Sequence, residues 1–373
     1  MRVLVTGAGG FIGKNLIAQL NLDKDISVLS YDVDNSVQEL KDFLESSDFI
    51  FHLAGVNRPK EESEFSAGNK GLTELVVEFL SDKFSRTGTA TPLMISSSTQ
   101  AAMDNPYGVS KREAESVVFE YSKKTGADVY VYRFPNVYGK WCRPNYNSAI
   151  ATFCYNTARS MPITVNSREA VMNIVYIDDV VRELVNAFRG TANRMGDYCE
   201  VPVTYKTTLG RIVDIIESFP QMRKDLLLPD FSDGLVKTLY STYLSYLPED
   251  QFSYPLKMNV DQRGSFTEFV KSVDRGQVSI NVSKPGIVKG NHWHHSKTEK
   301  FLVVKGQGVI AFRRIDSDQV ITYHVSGEML EVVDIPTGYT HNIKNTGEEE
   351  MVTVMWANEL LDPNHPDTYF LEV

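Results

Sequence analysis

The stretch Arg2-Val3-Leu4-Val5-Thr6-Gly7-Ala8-Gly9-Gly10-Phe11-Ile12-Gly13 decides how the first half of the chain folds. A short apolar, β-branched run leads straight into a glycine turn, and an amphipathic stretch, Phe11–Leu20, follows without a spacer. Strand, glycine turn and helix in that order open a βαβ unit. Glycine at 7, 10 and 13 lets the turn tighten, the backbone approach a pyrophosphate, and the helix pack on the strand. The unpaired N–H groups of the first helical turn, around Phe11 and Ile12, are then free to hold the phosphates. Asp32 lies about 20 residues on, at the end of the next apolar run, where an acid can bind ribose hydroxyls and favours NAD over NADP. The competing role for Asp32 is a cap on the following helix near Asn35.

Outward from that turn, strands are predicted at Arg2–Thr6, Ser27–Asp32, Phe49–Ala54, Pro92–Ser98 and Asp128–Arg133. Helical patterns alternate with them at Phe11–Leu20, Val37–Leu44, Leu72–Leu80 and Ser110–Tyr121, the alternation of a parallel sheet. Periodicity weakens from Trp141 to Leu226, although Val180–Phe188 and Leu209–Ile216 remain helical, and this part reads as a smaller lobe. Leu226 to Pro255 shows no period and reads as a packed linker. Short alternating runs then follow at Val278–Val282, Phe301–Val304, Val309–Arg313, Val320–His324 and Met351–Trp356, split by glycine turns. They predict an antiparallel sandwich or barrel.

A length of 373 residues implies two domains, and 42% hydrophobic with 23% charged residues is ordinary for a globular chain. No apolar run approaches the roughly 20 residues that span a bilayer, and the first residues do not form a signal segment, so a cytoplasmic protein is expected. A net charge of −10 excludes nucleic acid as a partner. Cys142, Cys154 and Cys199 have neither metal nor disulfide spacing and read as reduced structural thiols.

Two further constellations carry chemistry. Tyr107 and Lys111, four apart, share one helix face, and an ammonium near a phenol lowers the phenol's pKa. Such a tyrosine can exchange a proton with a carbinol or carbonyl oxygen while hydride moves at a nicotinamide, and a serine from Ser96-Ser97-Ser98 can hydrogen-bond that oxygen. Five of the seven histidines fall between 292 and 341. His292 and His294 share a strand face while His295 points away; Glu299 and His341 complete a set suited to Zn, Fe, Mn or Ni.

The glycine turn, the serines and Tyr107-Gly108-Val109-Ser110-Lys111 resemble the extended short-chain dehydrogenase family of nucleotide-sugar enzymes over roughly residues 1–220. Phe49–Ala54, Arg133-Phe134-Pro135-Asn136-Val137-Tyr138-Gly139 and Val175–Val180 belong to the likeness. It implies Ser98 as catalytic serine, Tyr107 as acid/base, Lys111 as its tuner and cofactor contact, Ala54 beside the cofactor, and Asn136 near the sugar-nucleotide phosphates. The sequence departs from the family at Gln100-Ala101-Ala102, which keeps Ser97 open as the alternative serine. Gly286, His292, His294, Glu299 and Gly306, followed by Pro336, Gly338, His341 and Asn345, resemble the two cupin motifs, except that Leu330 replaces a glycine. Val288–Trp293 is also similar to the segment around the base of the deoxysugar 3,5-epimerases. By that likeness His292 is a base beside a cation held by His294, Glu299 and His341; spacing leaves four ligands, or three plus a base, both open.

The whole chain resembles the bifunctional capsular-polysaccharide enzymes of bacterial N-acetyl-L-fucosamine synthesis, notably at Lys140–Asn147, Leu239–Leu247 and Lys289–His295. The resemblance implies a Rossmann-type dehydrogenase over 1–245 and a cupin over 246–373. It implies a UDP-sugar substrate, C3-epimerisation of a UDP-2-acetamido-2,6-dideoxy-4-hexulose in the cupin, and reduction at C4 to the talose-configured sugar. NADP(H) is the implied cofactor, with NAD(H) kept open by Asp32; the implied ion is a divalent metal, Zn foremost, and the implied assembly a homodimer. The alternatives are a redox-neutral 4-epimerase or dehydratase with tightly held NAD, and a cupin that serves only structure or dimerisation.

Overall fold

The computed structural model describes residues 1–373, which divide into two compact units. In the first, β1 (Arg2–Thr6), α1 (Phe11–Leu20), β2 (Ser27–Tyr31), α2 (Val37–Ser46) and β3 (Phe49–His52) follow one another. Then come α3 (Ser63–Phe65), a π-helical turn Ser66–Gly71, α4 (Leu72–Thr87), β4 (Leu93–Ser98), α5 (Pro106–Thr125) and β5 (Val129–Phe134). The parallel sheet runs β2-β1-β3-β4-β5 and ends with the short strands Tyr198–Cys199 and Arg194–Met195. Strand order reverses between β1 and β3, and at such a switch point the carboxyl ends of the strands open a crevice. Both faces are covered: Val3 and Val5 pack with Leu16, Leu20 and Val180, while Leu4, between them, packs with Leu40, Val76 and Leu80 on the other side. Each such buried aliphatic side chain contributes roughly 1.5–3 kcal/mol. The order matches the flavodoxin-like 2-1-3-4-5 and not the 3-2-1-4-5-6 of dinucleotide-binding halves, because the Ser36–Glu39 capping box starts α2 directly after β2 and leaves no residues for another strand.

The second unit is a cupin barrel of two antiparallel sheets. One has six strands, Met258–Asp261, Gly264–Ser272, Gly276–Ser283, Met351–Ala357, Glu299–Lys305 and Val332–Ile335 in that order. The other has five, Val320–Ser326, Gln307–Arg314, Tyr339–Asn345, Val288–Trp293 and Tyr369–Phe370. Phe301, Val303, Ile310, Phe312, Ile343 and Met351 fill the space between them.

The units are not continuous in sequence: Met1–Glu217 goes with Thr238–Pro248, and Ser218–Lys237 with Glu249–Val373. Compared with the expected boundary at 245/246, residues 218–237 and 246–248 fall on the other side, and Leu226 and Leu228 exchange backbone hydrogen bonds with Lys271. The stretch read as an aperiodic linker contains a helix, Gly234–Leu244, with Leu235, Leu239 and Tyr243 buried at helical spacing. All three cysteines are buried and free. No helix is long and apolar enough to cross a membrane.

Candidate functional sites

Gly7 has φ +68°, and a Cβ there would lie 2.7 Å from the Ala54 nitrogen. A Cβ on Gly13 would lie 2.2 Å from the Gly7 carbonyl oxygen, so α1 sits directly on the turn. Gly10 caps α1 without a side chain, and no acid occupies its first turn, which leaves the N–H groups near Phe11 and Ile12 to an anion. Asp32 does not cap α2, because Ser36 does. Its carboxylate instead accepts the Gly9 N–H at 2.6 Å and the Val33 N–H at 2.8 Å. Ala54 lies behind the turn, its N–H donating to Thr6 Oγ1 at 3.2 Å. Beyond the turn opens a crevice of about 1060 Å³, lined among others by Gly7, Phe11, Ser98, Tyr107, Lys111 and Asn136.

Asn105 caps α5 by accepting the Gly108 N–H, and Pro106 fits the first turn, so the helix starts early enough to include Tyr107. Lys111 Nζ donates to the Ser96 carbonyl at 3.0 Å and lies 6.0 Å from the Tyr107 ring centre. Burial pushes Lys111 down to about 8, against an opposing pull from Glu115. The Tyr107 phenol moves opposite to the expected direction: burial holds it above its ordinary value, and only the Ser98 hydroxyl opposes this. Tyr107 is therefore protonated and can donate. Ser97 points away, its buried hydroxyl donating to Glu115, which Arg133 grips at 2.9 and 2.6 Å. All three serines line the crevice, and Ser98 is the one whose hydroxyl meets the Tyr107 phenol. Asn136 stands at the crevice edge, its amide donating to the Asn173 carbonyl at 3.3 Å.

In the second unit the ligand atoms of His292, His294, Glu299 and His341 all lie within 4.8 Å of one another. A bulge between Gly290 and His292, with Asn291 at φ +60°, brings His292 directly opposite His341 across the sheet. Glu299 Oε2 is 3.3 Å from both His294 Nε2 and His341 Nε2. Those edges match the roughly 3.4 Å between ligands of a tetrahedral ion with bonds of about 2.1 Å. Burial disfavours the Glu299 charge, but the His294 and His341 imidazoles outweigh it and hold the carboxyl well below the usual range. His341 is buried, and neither ring nitrogen makes a well-aligned hydrogen bond, Nε2 meeting only the Glu299 carboxylate at 3.3 Å, an arrangement a cation would relieve. Burial, with His341 next, pushes His292 down to about 4. His295 is exposed and meets the Trp293 and Tyr369 rings edge-on, outside the cluster.

The likeness to known proteins decides the family. Residues 3–196, more than half the chain, match the NAD dependent epimerase/dehydratase family. The chain belongs to that family. Residues 259–369 match the polysaccharide biosynthesis C-terminal domain. A UDP-2-acetamido-2,6-beta-L-arabino-hexul-4-ose reductase of Pseudomonas aeruginosa is 45% identical over 100% of this chain and 99% of its own. The capsular polysaccharide assembling protein CapF of Staphylococcus aureus superposes with TM-score 0.93 at 54% identity, over the whole of both chains. UDP-glucuronic acid 4-epimerase of Bacillus cereus, at 18% identity and TM-score 0.55, covers 66% of this chain and 98% of its own, and shows the fold of the first part alone. This epimerase/dehydratase-family chain is an enzyme that works with a nicotinamide cofactor.

Sequence reasoning missed three groups in this family enzyme. Asn69, buried on the π-turn, exchanges hydrogen bonds of 3.0 Å with both backbone groups of Val56 and donates to Ser110. A Cβ on Gly55 would lie 2.7 Å from Asn69 Oδ1 and 2.9 Å from Lys111 Nζ, so Gly55 keeps the space between them open. Glu115 was legible as the next turn after Lys111; Arg133 was not, because only the β4–β5 register places it beside Ser97. Asp367, which wraps the turn after His294, lies far away in sequence and has no motif.

Proposed function

We propose that the second unit inverts C3 of a UDP-2-acetamido-2,6-dideoxy-4-hexulose and that the first unit reduces the C4 ketone. The product is then UDP-2-acetamido-2,6-dideoxy-L-talose, on the way to N-acetyl-L-fucosamine for capsule or O-antigen. The observation that carries this reading is a buried imidazole–carboxylate cluster and a Ser98–Tyr107–Lys111 crevice in one chain that matches a UDP-4-keto-sugar reductase from end to end. The C4 ketone acidifies the C3 proton, so inversion must precede reduction.

His294, Glu299 and His341 would hold a divalent cation, zinc foremost, which when bound draws charge from the ketone oxygen. His292, neutral and in the same cluster, takes the C3 proton as base; reprotonation on the opposite face completes the inversion. In the crevice Ser98 hydrogen-bonds the C4 oxygen. Protonated Tyr107 gives that oxygen its proton as hydride arrives at C4 from the nicotinamide, and Lys111 stabilises the phenolate left behind. Asn136 sits where the diphosphate enters. NADPH is the reductant, with NADH the donor Asp32 favours; two backbone N–H groups already occupy the Asp32 carboxylate, which softens its opposition to a 2′-phosphate. Exposed Val320, Ile321 and Tyr323 on the edge strand Val320–Ser326 support pairing of two copies into a homodimer.

The test is incubation with the UDP-4-keto sugar in deuterated water, with and without NADPH. Deuterium is expected at C3 without cofactor, absent in His292→Ala, and retained in Tyr107→Phe, which blocks only reduction. Exchange that survives His292→Ala would return the cupin to a structural role.

A further inference from the structure

We propose that Asp367 is a positioning residue for the cation site: it fixes the tautomer of His294 with its carbonyl while its carboxylate clamps the turn that carries His294. The inference rests on the cation reading above and goes beyond it, since no ligand set includes Asp367. His294 lies just past the strand Val288–Trp293, where the sheet ladder no longer holds the backbone. Asp367 takes over there. Its carboxylate accepts the N–H of His295 at 3.0 Å, of Ser296 at 2.9 Å and of Lys297 at 2.9 Å, and the Ser296 hydroxyl at 3.1 Å. Three consecutive amides on one carboxylate define the turn.

The Asp367 carbonyl oxygen lies 2.6 Å from His294 Nδ1. A carbonyl only accepts, so Nδ1 carries a proton, which leaves Nε2, 3.3 Å from Glu299, as the nitrogen whose lone pair a cation would take. Metal-binding imidazoles need that division of labour, one nitrogen donating outward and the other bare. Asp367 itself is held in place from both sides. Lys297 Nζ donates to the Pro366 carbonyl at 2.9 Å and to Thr368 Oγ1 at 3.1 Å. Tyr369 and Phe370 pair with Trp293 and His292 as a fifth strand. Its backbone is left-handed, φ +39°, a conformation asparagine and glycine also adopt.

Two replacements test the carboxylate's part. Asp367→Asn sets an amide donor against three N–H donors; Asp367→Gly keeps the left-handed backbone and the carbonyl but removes the carboxylate. Each full-length protein is stripped with chelator and titrated with Co(II), followed by its visible absorption and by competition with a chelator of known affinity. Melting of the metal-free form gives the structural control. Co(II) binding is expected to weaken by roughly 10–100-fold in both variants while the metal-free melting temperature stays near that of the parent. A second measurement needs no variant: ¹⁵N–¹H spectra of the histidines in the metal-free parent should show His294 protonated at Nδ1. The proposal is overturned if the parent shows the opposite tautomer, or if both variants bind Co(II) within twofold of the parent. It is also overturned if Co(II) binding weakens only as far as the fold is lost. A parent that fails to bind Co(II) at all instead removes the cation reading, a separate outcome.

Discussion

Replacing the two groups behind Lys111 one at a time should move the alkaline limb of ketone reduction in opposite directions. Lys111 sits at about 8 because burial strips its hydration, and Glu115, one helical turn on and almost wholly buried, restores part of the lost stability of the ammonium. Arg133 in turn neutralises Glu115 from β5. Glu115→Gln removes the negative charge and leaves Arg133 unopposed, so Lys111 loses its proton at lower pH. Arg133→Met leaves Glu115 uncompensated, so Lys111 keeps its proton to higher pH. Two unit charges about 6 Å apart interact by roughly 3 kcal/mol at an effective dielectric of about 20. The more distant partner of opposite sign cancels about half of that, and ~1.4 kcal/mol corresponds to about one pH unit. Reduction needs the ammonium beside Tyr107, so the rate falls as pH rises through the Lys111 pKa, and the limb reports the shift directly. The assay is kcat from nicotinamide absorbance with saturating keto-sugar between pH 6 and 10. Arg133→Met strands a buried carboxylate at a cost of about 3 kcal/mol, the low end because the arginine is partly exposed, so the assays are run well below the melting point. If both variants slow the reaction at every pH without moving the limb, or move it the same way, the Ser97–Glu115–Arg133 group only braces the sheet and the electrostatic reasoning is wrong.

Lys111→Met should abolish reduction, leave deuterium exchange at C3 intact, and stabilise the protein at neutral pH. Its folded pKa of about 8 lies below the ordinary 10.5, so the unfolded chain binds the extra proton; the penalty is full below 8 and is gone above 10.5. Roughly 3 kcal/mol is relieved at pH 7, offset by about 1 kcal/mol for the lost bond to Ser96, and urea melts at pH 7 and pH 10.5 should show the gain disappear. Gly13→Ala forces a Cβ to 2.2 Å from the Gly7 carbonyl, so calorimetry should show nicotinamide binding weakened at least tenfold with C3 exchange unchanged; normal binding would remove the glycine turn from the cofactor site. His341→Leu removes a buried imidazole that lacks a well-aligned hydrogen bond, a relief of about 1–3 kcal/mol, but also the group that steadies the Glu299 carboxylate at 3.3 Å, so the melting temperature of the metal-free protein should change little. The same change should erase any rise in melting temperature on adding Zn²⁺ or Co²⁺; a metal-free loss above about 3 kcal/mol would show that His341 has structural partners.

What the chain disclosed in advance was whatever depends on spacing along one element. The glycine turn, the Tyr107–Lys111 pair and the His292–His294 pair are local, because helix and strand periods alone put their side chains together. The helix Gly234–Leu244 escaped notice because Thr238, Tyr240, Ser241 and Thr242 dilute the apolar period that Leu235, Leu239 and Tyr243 keep. The Tyr107 pKa was read in the wrong direction because spacing shows the ammonium but not the burial that weakens it. The deeper gap concerns backbone acceptors. Lys111 is aimed by the Ser96 carbonyl and His294 by the Asp367 carbonyl, and any residue supplies a carbonyl, so neither position advertises itself by type. In each case a different part of the chain brings that oxygen to the reactive side chain: β4 beside α5 in the crevice, and the segment before strand Tyr369–Phe370 beside the His294 turn in the barrel. Both reactive nitrogens therefore depend on chain packing for their orientation. Substitutions that shift those two segments without touching a charged group should impair the chemistry as surely as removing a ligand.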